Sequence, residues 1–494
     1  MRFYYFLIGL LLVIKLSAQN EALFHEQYRP QYHFTPQKYW TNDPNGLVFQ
    51  NGVYHLFFQY NPFENKWGHM SWGHATSTDL IHWAELPVAI LEENGKMIFS
   101  GSAVLDQNNT TGFSDKKNSQ PLVAIYTSHT DTLQAQHLAY SNDNGNTWKK
   151  YPNNPVLNLN KKDFRDPNVF WYEPGKYWIM AVSQPVEQQI SFYKSVNLKN
   201  WEHLSEFGPA GDLSGVWECP DLMQVPIVGE MGKTKWVLFT SQNSTMQYFV
   251  GDFDGVHFLE NKPNYSTHKQ DYGTDYYAAV AYHNTNAKQP ISIGWVNNWE
   301  YANEIPTKPW KGAMSIPRKL SVKNINQDWV LIQEPITALN KLRSSQQIIA
   351  NISVTEAKTL KQKGNSFEME VDLYPSLKGT SGVKLAVGEN RYFMIGYDSN
   401  KEKLFIDRTN TGNGFSKKFS SISRSEASLK TIDGRIHLQI FFDESIVEIY
   451  AADGMVVFTA QVFPEKNDTG IILFSDGGIS RFENIKYSKI NSAH

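Results

Sequence analysis

Short apolar runs separated by turn-forming residues dominate the chain, and helical periodicity is scarce. Leu122–Thr127, Trp178–Val182 and Ile291–Val296 are continuous apolar stretches of strand length, the pattern of strands covered on both faces. Elsewhere the pattern alternates strictly, as in Phe367-Glu-Met-Glu-Val-Asp-Leu373, which predicts a strand with one buried face. Turn chemistry punctuates the runs. Asn51-Gly52 separates Leu47–Gln50 from Val53–Tyr60 and reads as a two-residue hairpin. The elements predicted are strands throughout, so the chain is expected to be all-β.

The strands recur in units. A polar turn followed by an aromatic appears as Ser77…Trp83, Ser141…Trp148, Ser195…Trp201 and Asp252…Phe258 at near-constant spacing. Upstream of three of these lie Asp43-Pro-Asn, Asp166-Pro-Asn and Glu218-Cys-Pro, each leading into a hairpin. Asp43, Asp166 and Glu218 are therefore read as equivalent positions in three copies of one unit. Each unit has room for four short strands, and a fifth fits between Asp271 and about Gln333, which predicts a five-bladed β-propeller over 25–335. Its first strands would converge on the axis and bring the three acids together. Neighbouring acids repel and are costly to bury, so stability alone would not select three of them. A polar, partly helical stretch at 336–350 is the expected linker. Beyond it, alternating strands such as Ile436–Phe442, Ile446–Tyr450 and Val456–Phe463 predict an antiparallel β-sandwich over 351–490.

Composition narrows the partners. The formal net charge of −3 gives no electrostatic reason to expect nucleic acid or an acidic membrane. The 14 Trp, 25 Tyr and 29 Phe suit sheet packing and also suit stacking on sugar rings. Met1-Arg2, the apolar run Phe3–Ile14 and Leu16-Ser17-Ala18 read as a signal peptide at 1–19, hence a secreted protein, periplasmic or extracellular, with no membrane insertion after its removal. Cys219 is the single cysteine, so no intramolecular disulfide can form. It reads as a small packed side chain. The spacing of His69 and His74 fits no strong ligand pattern, and neither metal nor cofactor is expected.

The motifs WTNDPNG at 40–46, FSGS at 99–102, FRDP at 164–167, ECP at 218–220, DYGTDYYA at 271–278, PWKGAMSIPR at 309–318 and FFDESIVEIYAADG at 441–454 occur in one order. In that order they resemble glycoside hydrolase family 32, the group of invertases, levanases and inulinases. Thr41 departs from the apolar residue usual there. The resemblance implies a propeller followed by a sandwich. It also implies catalytic roles: Asp43 as nucleophile, Glu218 as general acid/base and Asp166 as transition-state stabiliser. It places Trp40, Asn42, Gln59, Trp67, Phe99, Ser100, Arg165 and Trp295 around a fructosyl pocket. Such a transition state carries oxocarbenium character, which carboxylates stabilise. The expectation is a secreted, retaining β-fructosidase that releases terminal fructose from levan or inulin, and cleaves sucrose, as a monomer. A fructosyltransferase or an endo-acting fructanase on the same scaffold stays open, as does a non-catalytic fructan-binding protein. Preference between β-2,1 and β-2,6 linkages is not legible.

Overall fold

Five four-stranded antiparallel units follow one another between Tyr39 and Pro335 in a computed structural model describing residues 24–114, 120–261, 268–283, 289–412 and 414–494. The predicted leader at 1–19 lies outside the described residues. The innermost strands are Tyr39–Gln50, Met97–Leu105, Arg165–Tyr172, Glu218–Pro226 and Tyr277–Tyr282. Each neighbours the next, and the fifth returns to the first, so the sheets close into a five-bladed propeller. Trp310–Lys311 pairs in parallel with Tyr39–Trp40 and fastens the last blade to the first.

Local chemistry explains the blades. Asn51 (φ 51°) and Gly52 (φ 83°) both take left-handed conformations between the paired Gln50 and Val53, the two-residue hairpin geometry matched to strand twist. The recurring polar turn joins third and fourth strands in the first four blades. Asp79 Oδ1 accepts from the Ile81 and His82 amides, Asn197 Oδ1 from those of Lys199 and Asn200, and Asp254 Oδ1 from those of Val256 and His257. Apolar residues on both blade faces then pack between sheets. Val123, Ile125, Val169 and Met180 fill one such space, and Phe170, Ile179, Leu222 and Leu238 the next.

The C-terminal domain is a sandwich of a seven-stranded and a six-stranded sheet. Its core includes Phe367, Val371, Ile395, Phe442, Ile449 and Phe458. Only part of the predicted linker is connection. Thr337–Leu342 is a 3₁₀ turn, whereas Arg343–Ile349 is already a sandwich strand paired with Ser480–Ile490. Its alternation is weak and mostly exposed, which hid it in the sequence.

A strap at 24–35, before the first blade, docks on the sandwich. The amides of Gln31, Tyr32 and His33 donate to the Asp443 carboxylate at 2.6, 2.9 and 3.0 Å. His33 also touches Glu448 (3.1 Å), which with Asp271 and Thr459 surrounds the buried Arg318 guanidinium. The two domains therefore share a buried polar core rather than a simple apolar contact.

Candidate active site

All five inner strands are irregular near their N-terminal ends, where two residues face one on the partner strand. The irregularities lie between Thr41 and Pro44, Ile98 and Gly101, Arg165 and Asn168, Glu218 and Asp221, and Tyr277 and Val280. Bulges re-aim side chains, and here they turn five sets toward one end of the axis. Asp166 (φ 63°), Cys219 (φ 47°) and Ala278 (φ 54°) sit in the left-handed region within them. For non-glycine residues that conformation costs of order 1–3 kcal/mol and concentrates at functional sites. Gly46 (φ 53°) ends the first motif where an added Cβ would fall 2.7 Å from the Phe57 ring.

The register corrects one expectation. The three acids are not equivalent positions. Glu218 opposes Ser241 as Arg165 opposes Ser183, so Glu218 matches Arg165 and Asp166 matches Cys219. Asp43 falls one place later, immediately before Pro44. Sequence spacing from each acid to its aromatic could not resolve these single-residue offsets.

The acids nevertheless meet. Cys219 Sγ lies 3.5 Å from Asp43 Oδ2 and 3.6 Å from Asp166 Oδ2, and the Cys219 amide donates to Asp166 Oδ2 at 3.0 Å. Ser100 Oγ donates to Asp43 Oδ2 at 2.6 Å, and Asn42 Nδ2 to Asp43 Oδ1 at 2.9 Å. Asn42 is itself held by the Trp40 indole at 2.7 Å. Arg165 Nε bonds Glu218 Oε1 at 3.0 Å, and the Tyr277 hydroxyl donates to Glu218 Oε2 at 2.6 Å. One cation thus bridges strands three and four, and both Glu218 oxygens are fixed.

Aromatic residues wall this cluster. Trp40 and Trp295 are fully buried beside Cys219 and Tyr277. Phe99 stacks on His129 at 4.0 Å and meets Trp67 edge-on at 6.3 Å. Trp67 is 41% exposed and stands at the rim. Gln59 is placed differently from a pocket-facing donor, since its amide nitrogen bonds Asn45 Oδ1 and the Ile98 carbonyl and so braces the first two blades. Thr41 is buried and donates to the Gln59 carbonyl, which gives a polar residue a place where an apolar one is usual.

Residues 33–335 match the glycosyl hydrolases family 32 N-terminal domain, and residues 338–489 match the glycosyl hydrolases family 32 C-terminal domain. The chain belongs to glycosyl hydrolase family 32. It is 42% identical to a levanase of Bacillus subtilis, over 96% of this chain and 72% of that protein. It is 39% identical to the extracellular exo-inulinase inuE of Aspergillus ficuum, over 97% of this chain and 98% of that protein. The crystal structure of exo-inulinase from Aspergillus awamori superimposes with a TM-score of 0.88 at 38% identity, covering 95% of this chain and all of that one. This family 32 chain is a glycoside hydrolase of the β-fructosidase type.

Electrostatics in the family 32 site follow from burial and crowding. Burial pushes the Asp43 carboxyl up and Glu218 adds to it, while the Ser100 and Asn42 hydrogen bonds pull it down. Burial likewise pushes Asp166 up, to about 7; Arg165 opposes this, and the Glu218 and Asp43 charges add to it. Cys219, enclosed by the same acids, is held well above the usual thiol range, first by burial.

Three residues of this family 32 site escaped sequence reasoning. Tyr277 lies inside the motif DYGTDYYA, but only the structure brings its hydroxyl to Glu218. Cys219 is packed as expected, yet it also bridges two acids. Trp299, half-exposed, stacks near Trp40 at 6.0 Å, a contact with no local sequence signal. His69 and His74 part company: His69 faces Glu92, and His74 pairs with His55.

Proposed function

We propose that this enzyme is a secreted, retaining β-fructosidase that removes terminal fructose from fructans and cleaves sucrose. The observation carrying this reading is the convergence of Asp43, Asp166 and Glu218 from three blades, with Arg165 and Tyr277 holding Glu218. Asp43 is oriented by two donors, so its free oxygen lone pairs point consistently for attack on the anomeric carbon. That attack forms an Asp43–fructosyl ester and breaks the glycosidic bond, while Glu218 gives its proton to the departing oxygen. Water then gives a proton back to Glu218 and its oxygen to the anomeric carbon, which frees Asp43. Asp166 and Arg165 grip sugar hydroxyls, and the Asp166 carboxylate stabilises the developing positive charge. Crowding by indoles and a dead-ended axis support a pocket that admits a chain end, hence exo attack.

The test pairs variants with products. Asp43→Ala and Glu218→Ala are expected to lower turnover by several orders of magnitude with the far-UV spectrum unchanged, and Asp166→Ala to be severely impaired. Near-normal activity in folded Asp43→Ala protein refutes the assignment. Early digestion of levan and of inulin should give free fructose while long chains persist. An early ladder of oligosaccharides points instead to endo action.

A further inference from the structure

The acids occupy one end of the axis; the other end is open. Past the carboxylates the inner strands close to a gap of about 10 Å³ between Pro44, Ser100, Pro167, Asn168, Cys219 and Pro220. That is room for about one water. Beyond it the axis widens into a cavity of about 730 Å³, within the range of small-molecule sites. A sugar cannot cross the gap, so the cavity is separate from the acid cluster.

Its lining has a specific chemistry. Trp171 and Trp236, each half-buried, stand on neighbouring blades beside Phe170. Asn168 lines both gap and cavity, is only 6% exposed, and its Oδ1 has no hydrogen-bond partner among the described residues. An unmet buried acceptor of this kind is costly unless a donor reaches it. His283, held by Asp221 at 2.6 Å, presents its ring from the fifth blade. The charged side chains among the described lining residues are Glu173 and Lys176, and they pair with each other, with the Trp171 indole also donating to Glu173 at 2.7 Å. Among the described lining residues no uncompensated charge selects an ion, and the polar atoms disfavour a purely apolar guest. Indole faces with scattered neutral donors and acceptors suit the C–H faces and hydroxyls of a sugar.

We infer that this cavity is a second carbohydrate site, taking a neutral mono- or disaccharide with its ring against Trp171 or Trp236 and a hydroxyl on Asn168 Oδ1. The choice of fructose as its natural ligand rests on the β-fructosidase reading; the site itself does not. Fructose is also a convenient probe, because a hydrolase does not consume it.

Equilibrium binding of fructose to the intact protein should give two sites per chain. Trp171→Ala should weaken one of them at least tenfold and leave the initial rate of sucrose or levan hydrolysis unchanged. Gln224→Trp, an exposed change at the cavity mouth, should block the same site without disturbing the core. A fructose soak should show the sugar in the cavity by crystallography. Fructose binding that neither variant weakens, whatever the number of sites, overturns the inference. Absence of hydrolysis on every fructan and on sucrose counts against the proposed function alone, since the cavity site is identified by its loss in the two variants and not by turnover.

Discussion

Asp43 is poised between opposing influences, and this makes its titration a readout of the site. Burial raises its carboxyl above the ordinary value of 3.8, while Ser100 and Asn42 favour the ionised form. Attack requires that ionised form, so activity should fall as pH drops through a point above 3.8. Removing the hydroxyl in Ser100→Ala takes away a stabiliser of the anion. The acid limb of kcat/KM should then move to higher pH, and the plateau should drop roughly tenfold, the weight of one charged hydrogen bond. An acid limb that stays put separates Ser100 from Asp43 ionisation. Asp166 carries a stability cost instead. Its folded value of about 7 exceeds the ordinary 3.8, so the folded state binds the proton more tightly, and stability is lost as pH rises between those values. Asp166→Asn keeps an acceptor for the Cys219 amide and removes the charge. Its Tm should exceed that of the parent at pH 8, by a margin that shrinks toward pH 4, as scanning calorimetry would show. Residue types at these positions were legible because each motif names its acid. The hydrogen bonds that tune them were not, because Ser100, Cys219 and Tyr277 come from three other places in the chain.

At the scale of elements, the bulges and the loop Asp271–Tyr277 do the positioning. Repeats made the number of blades readable, since each turn-and-aromatic signal is a local hydrogen-bonding device. Register was not readable: a bulge adds one residue to a strand, and single-residue offsets leave no trace in apolar patterning. The loop has a further role. Asp271 accepts from the Thr459 amide at 2.9 Å, and Asp275 from the Gln461 amide at 2.9 Å and from Arg408 at 2.7 Å. Two residues after Asp275, Tyr277 holds Glu218. The sandwich thereby anchors the loop that steadies the proposed acid/base. Tyr277→Phe should lower kcat about tenfold with KM little changed. Arg408→Met leaves Asp275 buried beside fewer donors, so it should lower both Tm and kcat. Equal losses in kcat and KM for Tyr277→Phe indicate a sugar contact rather than a brace.

For the molecule as a whole, the domain interface combines an apolar cluster that includes Phe58, Ile316, Phe441 and Val457 with buried ion pairs, and the ion pairs respond to pH. Burial alone would lower His33, but its bonds to Asp443 and Glu448 raise it to about 9. Burial alone would raise Glu448, but Arg318 and His33 hold it at about 2. The His33 contribution is complete below its ordinary 6.5 and is lost as pH climbs through 9. The Glu448 contribution is complete above its ordinary 4.5 and is lost as pH falls through 2. The interface is therefore tightest between about 4.5 and 6.5, and the parent Tm should decline from there toward pH 9. His33→Gln should flatten that decline; an unchanged slope assigns it elsewhere. The all-β, two-domain plan was readable from periodicity and motif order, yet this interface was not, because its partners lie at opposite ends of the chain. That separation also sets an order of events at the ribosome. The Gln31 amide and its Asp443 partner are 412 residues apart. At about 5–20 residues per second, the strap waits roughly 20 to 80 s for its dock to be made. Blade closure through Trp310–Lys311 can precede it, so a nascent chain passes through a closed ring whose leading segment has its blade contacts at Phe34 and Arg29 but lacks its dock on Asp443. Protease applied to stalled chains should cut within 24–35 until synthesis has passed Glu448, and spare it afterwards.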